Sequence, residues 1–162
     1  MTIAIISTLL LLCAATLSFS RATYAAVTAF LGLCATGLLP GETLPLSSYI
    51  FWAVAMLIVV ALGLILPPAI NGSRIGTPYI CGASMAGMLV GLATSSHAAM
   101  VAGAFIGAVL GGIAFAKTPA GKILEFPTSK FLNYLCAKGL PVVVTMSIIG
   151  TAAAVLIAAW PS

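Results

Sequence analysis

Few residues of this chain carry reactive groups, and one pair has the types needed for a nucleophile and its base. Ser84 lies in Gly82-Ala83-Ser84-Met85, a Gly-x-Ser context that suits a serine nucleophile, and His97 is the single histidine. A serine nucleophile needs its base within about 3 Å. The two residues are thirteen positions apart, so if one helix joins them, the separation is about 20 Å at 1.5 Å per residue. The spacing therefore argues against a hydrolase.

Acids and metal-binding side chains are equally scarce. Glu42 and Glu125 are the only carboxylate residues, which leaves no pair for general acid and base catalysis inside an apolar segment. The four cysteines, at positions 13, 34, 81 and 136, show no CxxC spacing and no neighbouring histidine, so we expect small buried hydrophobes. No phosphate loop or dinucleotide motif occurs. We therefore expect no enzyme, no catalytic residue, no metal site and no cofactor.

The composition indicates the solvent that must surround these residues. Of 162 residues, 62% are hydrophobic and only 5% are charged, whereas a soluble domain carries roughly 25% charged residues. Such a chain cannot coat a water-exposed surface, and its net charge of +4 does not make it a nucleic-acid binder. We predict an all-α, polytopic membrane protein that forms a single integral domain over residues 1–162.

Six uncharged apolar segments approach or exceed the length of about 17 residues that a bilayer crossing requires. Proline and glycine pairs separate several of them, as Pro40-Gly41 and Pro67-Pro68 do. We therefore predict about six transmembrane spans, at residues 3–18, 22–39, 48–66, 78–94, 97–116 and 140–160.

The basic residues predict an orientation, because short cytoplasmic loops are enriched in lysine and arginine. With six crossings, Arg21, Arg74 and every lysine fall on one side of the membrane, and Glu42 and His97 fall on the other. We expect both termini outside.

The most specific signal is a pair of small-residue stripes in the fourth and fifth spans. Residues four apart share a helix face, and small residues in a membrane let helix backbones approach closely. We expect a glycine-zipper hairpin at the centre of the bundle, either closing it from within or forming an oligomer interface or a thin pore wall. A full crossing and a re-entrant pair both fit the sequence. The packing residues are Ala83, Gly87, Gly91, Ala99, Gly103, Gly107 and Gly111.

Residues 117–139 predict a short interfacial amphipathic helix before the last span. The helix would run from about Thr128 to Lys138, with Gly139 as its C-terminal stop. Its lysines would point outward to anionic lipid headgroups, worth about 1 kcal/mol each; a solvated loop is the alternative. The expected headgroup residues are Lys117, Lys122, Lys130 and Lys138.

Several low-complexity stretches resemble a family of small, glycine-rich bacterial inner-membrane proteins known as domain of unknown function 456. The stretches are spread over about half of the chain and consist of residues 39–45, 64–68, 71–76, 82–92 and 103–112. The resemblance implies an expectation for the fold and none for an activity.

Two functions fit these features. The first is a non-catalytic membrane subunit or scaffold that associates through the hairpin, with itself or with a larger membrane complex. The second is a small channel or permease for an ion or small neutral solute, because three spans on either side of Arg74 make the two halves inverted. Hydroxyl groups within the spans could line a path or bond back to helix carbonyls; they are Ser84, Thr145, Ser147 and Thr151.

Overall fold

The computed structural model describes residues 2–39, 44–65, 75–94, 96–124 and 126–159, and the regular structure in these ranges is entirely helical. The described ranges contain seven α-helices, with a 3-10 turn at Lys122–Leu124 and a π-helical turn at Leu135–Gly139. The helices are α1 Thr2–Ser18, α2 Ala22–Thr36, α3 Leu46–Ile65, α4 Thr77–Ala93, α5 His97–Ala116, α6 Ser129–Tyr134 and α7 Leu140–Ala158.

The apolar segments of the sequence coincide with six of these helices, and each described end lies within three residues of its prediction. Three helices are long and apolar enough to cross a membrane: α3, α5 and the continuous helix Ser129–Ala158. The other three, α1, α2 and α4, are apolar but shorter, at 17, 15 and 17 residues.

The last helix, and not the glycine-rich hairpin, forms the centre of the bundle. α7 packs against α1, α2, α3, α4 and α5, and most of its residues between Pro141 and Thr151 are buried. In contrast, Trp52 and Val59 are the only buried residues of α3, which lies against α2 and α7 at the edge of the bundle. The expectation that the hairpin lies at the centre was wrong. Small residues allow close contact with one neighbouring helix, but they offer too little surface to pack against several helices.

Gly139 does not end the helix that precedes it. Its backbone is helical, with φ −72° and ψ −46°, and α6 runs through the π-helical turn into α7. Proline cannot donate to the carbonyl four residues back, and its ring crowds that carbonyl. The wider turn at Leu135–Gly139, directly before Pro141, accommodates this proline without a break.

The helix surfaces are largely apolar, and eight of the described serine and threonine residues are buried inside the bundle. Outward-facing side chains include Leu64 at 83% exposure and Val90 at 70%. The buried hydroxyl residues are Ser7, Ser18, Thr36, Thr77, Ser84, Thr145, Ser147 and Thr151. Contiguous exposed apolar surface on this scale is foreign to soluble monomers, and it matches a surrounding of lipid.

Candidate functional site

The backbones of α4 and α5 touch along the predicted small-residue stripes. A Cβ atom added to Gly87 would overlap the carbonyl oxygen of Gly103, and a Cβ at Gly103 would overlap that of Gly87. A Cβ at Gly91 would lie 2.5 Å from the carbonyl oxygen of Ala99. No side chain larger than hydrogen fits at these crossings, so glycine is required there by close approach.

The same contact continues toward the other end of the hairpin. A Cβ at Gly107 would overlap the carbonyl oxygen of Ala83, and one at Gly111 would overlap that of Tyr79. The structure therefore brings all seven predicted packing residues into one seam inside a single chain. Tyr79 was not among the predicted residues. It contributes through its backbone carbonyl, and the type of its side chain gives no sign of that contact.

A serine hydroxyl reinforces each of the two long hairpins. Ser84 in α4 is buried and donates to the carbonyl oxygen of Ala104 in α5 at 2.9 Å. Ser7 in α1 donates to the carbonyl oxygen of Gly32 in α2 at 3.0 Å. Both hydroxyls join neighbouring helices, a use of serine that is common between helices in lipid.

Ser84 and His97 lie on two antiparallel helices, so the assumption of one uninterrupted helix between them was wrong. Ser84 is level with Ala104, seven residues along α5 from His97, which corresponds to about 10 Å. His97 is exposed in the first turn of α5. The two side chains are therefore too far apart for proton transfer within a direct hydrogen bond.

Two of the hydroxyls of α7 bond back to their own helix. Thr145 donates to the carbonyl oxygen of Pro141 at 2.7 Å, and Thr151 donates to that of Ser147 at 2.8 Å. The hydroxyl of Ser147 is buried without a hydrogen-bond partner among the described residues. These groups form no chain of polar contacts along α7.

Three of the four predicted headgroup lysines are exposed, namely Lys117, Lys122 and Lys130. Lys138 is buried, with 7% of its side chain exposed, so its expected outward direction was wrong. Because the helix continues through Gly139, Lys138 lies on the same face as the buried Phe131 and Tyr134.

An aromatic cluster holds the start of α4 at this basic end of the bundle. The hydroxyl of Tyr134 donates to the carbonyl oxygen of Ile75 at 2.7 Å, and Phe115 stacks on Tyr134 with ring centroids 5.8 Å apart. Gly76 has a φ of +80°, and a Cβ there would overlap the hydroxyl of Tyr134. The sequence did not reveal this cluster, since Tyr134 and Ile75 are 59 residues apart. The feature of the sequence that could have pointed to it is Gly76 directly before Thr77-Pro78.

A groove opens between α3 and α5 and has α7 as its floor; we call it the α3–α5 groove. Its volume is about 1100 Å³. Ser47 and Ser48 from the start of α3 and His97 from the start of α5 are among its lining residues. The first turns of α3 and α5 therefore both border this groove.

Histidine, cysteine and carboxylate ligands do not converge within the described ranges, where no group of three His, Cys, Asp or Glu residues is found. Cys13, Cys34, Cys81 and Cys136 are free thiols, and Cys81 alone among them is buried. Glu42, Arg74, Glu125 and Trp160 lie outside the described residues.

Comparison with protein-family models, with curated proteins and with solved structures gives no match to this chain.

Proposed function

We propose that this chain is a non-catalytic integral membrane protein that acts as a membrane subunit or scaffold and takes its shape from a glycine-zipper hairpin. The observation that carries the proposal is the distribution of side chains. Large apolar residues cover the outside of the helices, the seam between α4 and α5 is built from glycine and alanine, and several serine and threonine hydroxyls are buried. In lipid, close packing and hydrogen bonds hold helices together, because apolar burial gives little advantage there.

Six crossings are the span count that we propose. The 20 residues of α5 extend about 30 Å, the thickness of a bilayer core. Because α5 is long and apolar enough to cross a membrane by itself, its length supports a hairpin that reaches the far side, over a re-entrant pair. The shorter helices α1, α2 and α4 require local thinning of the bilayer or polar ends near the headgroups.

The proposed orientation places the exposed Lys117, Lys122 and Lys130 at the cytoplasmic headgroups of a bacterial inner membrane, with both termini outside. Anionic lipids are the partners that we propose for these lysines. The resemblance to domain of unknown function 456 supports the same class of protein. Membership in that family remains a proposal.

Association with other chains would use the outer face of the hairpin, because the seam between α4 and α5 is filled within the chain. Gly82 has open space around it, and Ala86, Leu89 and Val90 are exposed on the same helix. A neighbouring helix can approach closely at Gly82 and Ala86, which are four residues apart. This face would hold a second copy or a subunit of a larger complex.

The test is the assembly state of the protein extracted from its own membrane in mild detergent. Native mass spectrometry should show a discrete oligomer or a reproducible partner subunit, and Ala86→Trp should abolish that assembly without unfolding the chain. A solitary monomer would overturn the subunit proposal. Solute flux through proteoliposomes that contain this chain alone would establish the channel or permease instead.

A further inference from the structure

Buried methionines from three helices gather near Gly150, in the interior of the bundle. A Cβ atom added to Gly150 of α7 would lie 3.1 Å from the Sδ atom of Met88 in α4 and 3.2 Å from the Sδ atom of Met100 in α5. Both sulfurs therefore lie against the same point of α7, and their separation cannot exceed the sum of these two distances, about 6 Å. Met146 lies one turn before Gly150 on the same face of α7, and it belongs to the same buried cluster as Met88.

Methionine is concentrated at this place rather than spread along the chain. The chain has six methionines, and Met88, Met100 and Met146 are each at most 3% exposed. Met85, which is partly buried, packs against the cluster that contains Met88 and Met146. A flexible methionine can fill an irregular gap, such as the one that Gly150 leaves. Packing accounts for one such residue, whereas four of them on three helices also bring together a soft donor atom.

Thioether sulfur is a soft, uncharged metal ligand. It differs from histidine, cysteine and carboxylate groups, on which the expectation of no metal site rested. Soft sulfur ligands select Cu(I) among the biological transition metals. Neutral ligands leave the charge of a bound ion uncompensated in an apolar interior, where burying charge is costly, so they favour a monovalent ion over a divalent one. Harder ligands form no competing group of three among the described residues.

A small movement of the side chains would complete a coordination shell. A metal–sulfur bond is about 2.3 Å long, so two sulfurs that bind one ion are about 4 to 5 Å apart. Methionine has three rotatable bonds, and Gly150 has no side chain that would hold the two sulfurs in place. The place is also close to one end of α5, because Met100 is three residues from His97, or about 5 Å along the helix. An ion would pass about one helical turn to reach it.

We propose that Met88, Met100 and Met146 form a binding site for a soft monovalent cation of the Cu(I) class, beside Gly150 in the interior of the bundle. The thioethers of α4 and α5 are the ligands whose positions the contact with Gly150 defines, and Met146 supplies a third from α7. The site goes beyond the proposed subunit role and requires only that the chain be folded.

Silver(I) is the probe, because it has the charge and softness of Cu(I) and is not oxidised by air. The full chain is purified in detergent with its four free cysteines replaced by alanine, since thiolates would bind the ion by themselves. Native mass spectrometry should show one silver ion per chain. Met88→Leu and Met100→Leu keep the side-chain volume and should each weaken silver binding about tenfold. Met56→Leu makes the same change on α3, at the edge of the bundle, and should bind silver as the parent does. No silver bound to the cysteine-free chain, or equal binding by Met88→Leu, Met100→Leu and Met56→Leu, would overturn the proposal.

Two further measurements separate coordination from packing. Silver should raise the melting temperature of the parent and of Met56→Leu, because a ligand that binds only the folded state stabilises it, and it should not raise that of Met88→Leu. X-ray absorption of the chain loaded with Cu(I) should show sulfur neighbours at about 2.3 Å. A first shell of nitrogen or oxygen would refute the thioether site. These measurements report the ion and its neighbours, so they stand whether or not the subunit proposal fails.

Discussion

Glycine has different roles in this chain at positions that the sequence makes look alike. Gly82 and Gly87 are both within α4, one turn and a half apart, yet Gly82 faces open space and Gly87 faces the backbone of Gly103. The four-residue spacing identified the stripe that contains Gly87, because residues on one face recur at that interval. It could not show how near the partner helix lies, which depends on the backbone of α5.

These two glycines form a matched pair for a stability measurement. Gly87→Ala forces α4 and α5 apart at a backbone contact and should cost about 2 kcal/mol, the usual penalty of overpacking. Gly82→Ala meets no atom within 4 Å and should leave stability unchanged or slightly raised. Thermal unfolding in detergent, followed by circular dichroism, compares them. If both variants have the same melting temperature as the wild type, the close seam between α4 and α5 does not exist.

Gly76 is held for its backbone conformation as well as for space. Alanine at a φ of +80° costs about 1–2 kcal/mol, and its methyl group would also displace the Tyr134 hydroxyl from Ile75. We expect Gly76→Ala to lower the melting temperature more than Tyr134→Phe does, since the second change removes only the hydrogen bond, worth about 1 kcal/mol. The reverse order would contradict the left-handed conformation at Gly76.

At the scale of elements, the lengths of the helices were predictable and one junction was not. Apolar runs bounded by Pro40-Gly41 and Pro67-Pro68 located α2 and α3, because backbone in lipid must stay helical until a polar turn. Gly139 looked like a stop, but the π-helical turn before Pro141 lets the helix continue. Because the helix continues, the Lys138 side chain points into the bundle. The wrong prediction at Gly139 therefore also gave the wrong direction for Lys138.

The cap at Thr128 stabilises the first turn of α6, where the continuous helix Ser129–Ala158 begins. The Thr128 hydroxyl accepts from the backbone N–H of Phe131 at 3.3 Å. Thr128→Ala should therefore cost about 1 kcal/mol locally, and the amides of residues 129–134 should exchange with deuterium about fivefold faster. Ser129→Ala, one residue along and exposed, is the control and should leave exchange unchanged. Equal exchange in Thr128→Ala would show that tertiary contacts alone hold α6.

At the scale of the whole molecule, the sequence predicted which helices are neighbours better than it predicted which helix lies at the centre of the bundle. The stripes paired α4 with α5 because both partners carry small residues at the same interval. The central position of α7 is set by contacts with five other helices, and no repeat in its own sequence records them. The α3–α5 groove was equally beyond prediction, because it is a gap between helices from distant parts of the chain.

The six-span arrangement predicts which ends of the bundle face the same compartment. Single cysteines at Ser47, His97 and Lys117, introduced after the four native cysteines are replaced by alanine, report on three exposed positions. Six crossings place Ser47→Cys and His97→Cys on the outer side, so an impermeant maleimide should label both in intact cells.

Lys117→Cys lies at the other end of α5, about 30 Å away, and should react only after the membrane is opened. In a re-entrant hairpin, His97→Cys would react from the Lys117 side while Ser47→Cys still reacted from outside. Because Ser47 belongs to α3, its labelling does not depend on the hairpin, and that outcome would discard the six-span proposal while leaving α3 as a crossing helix.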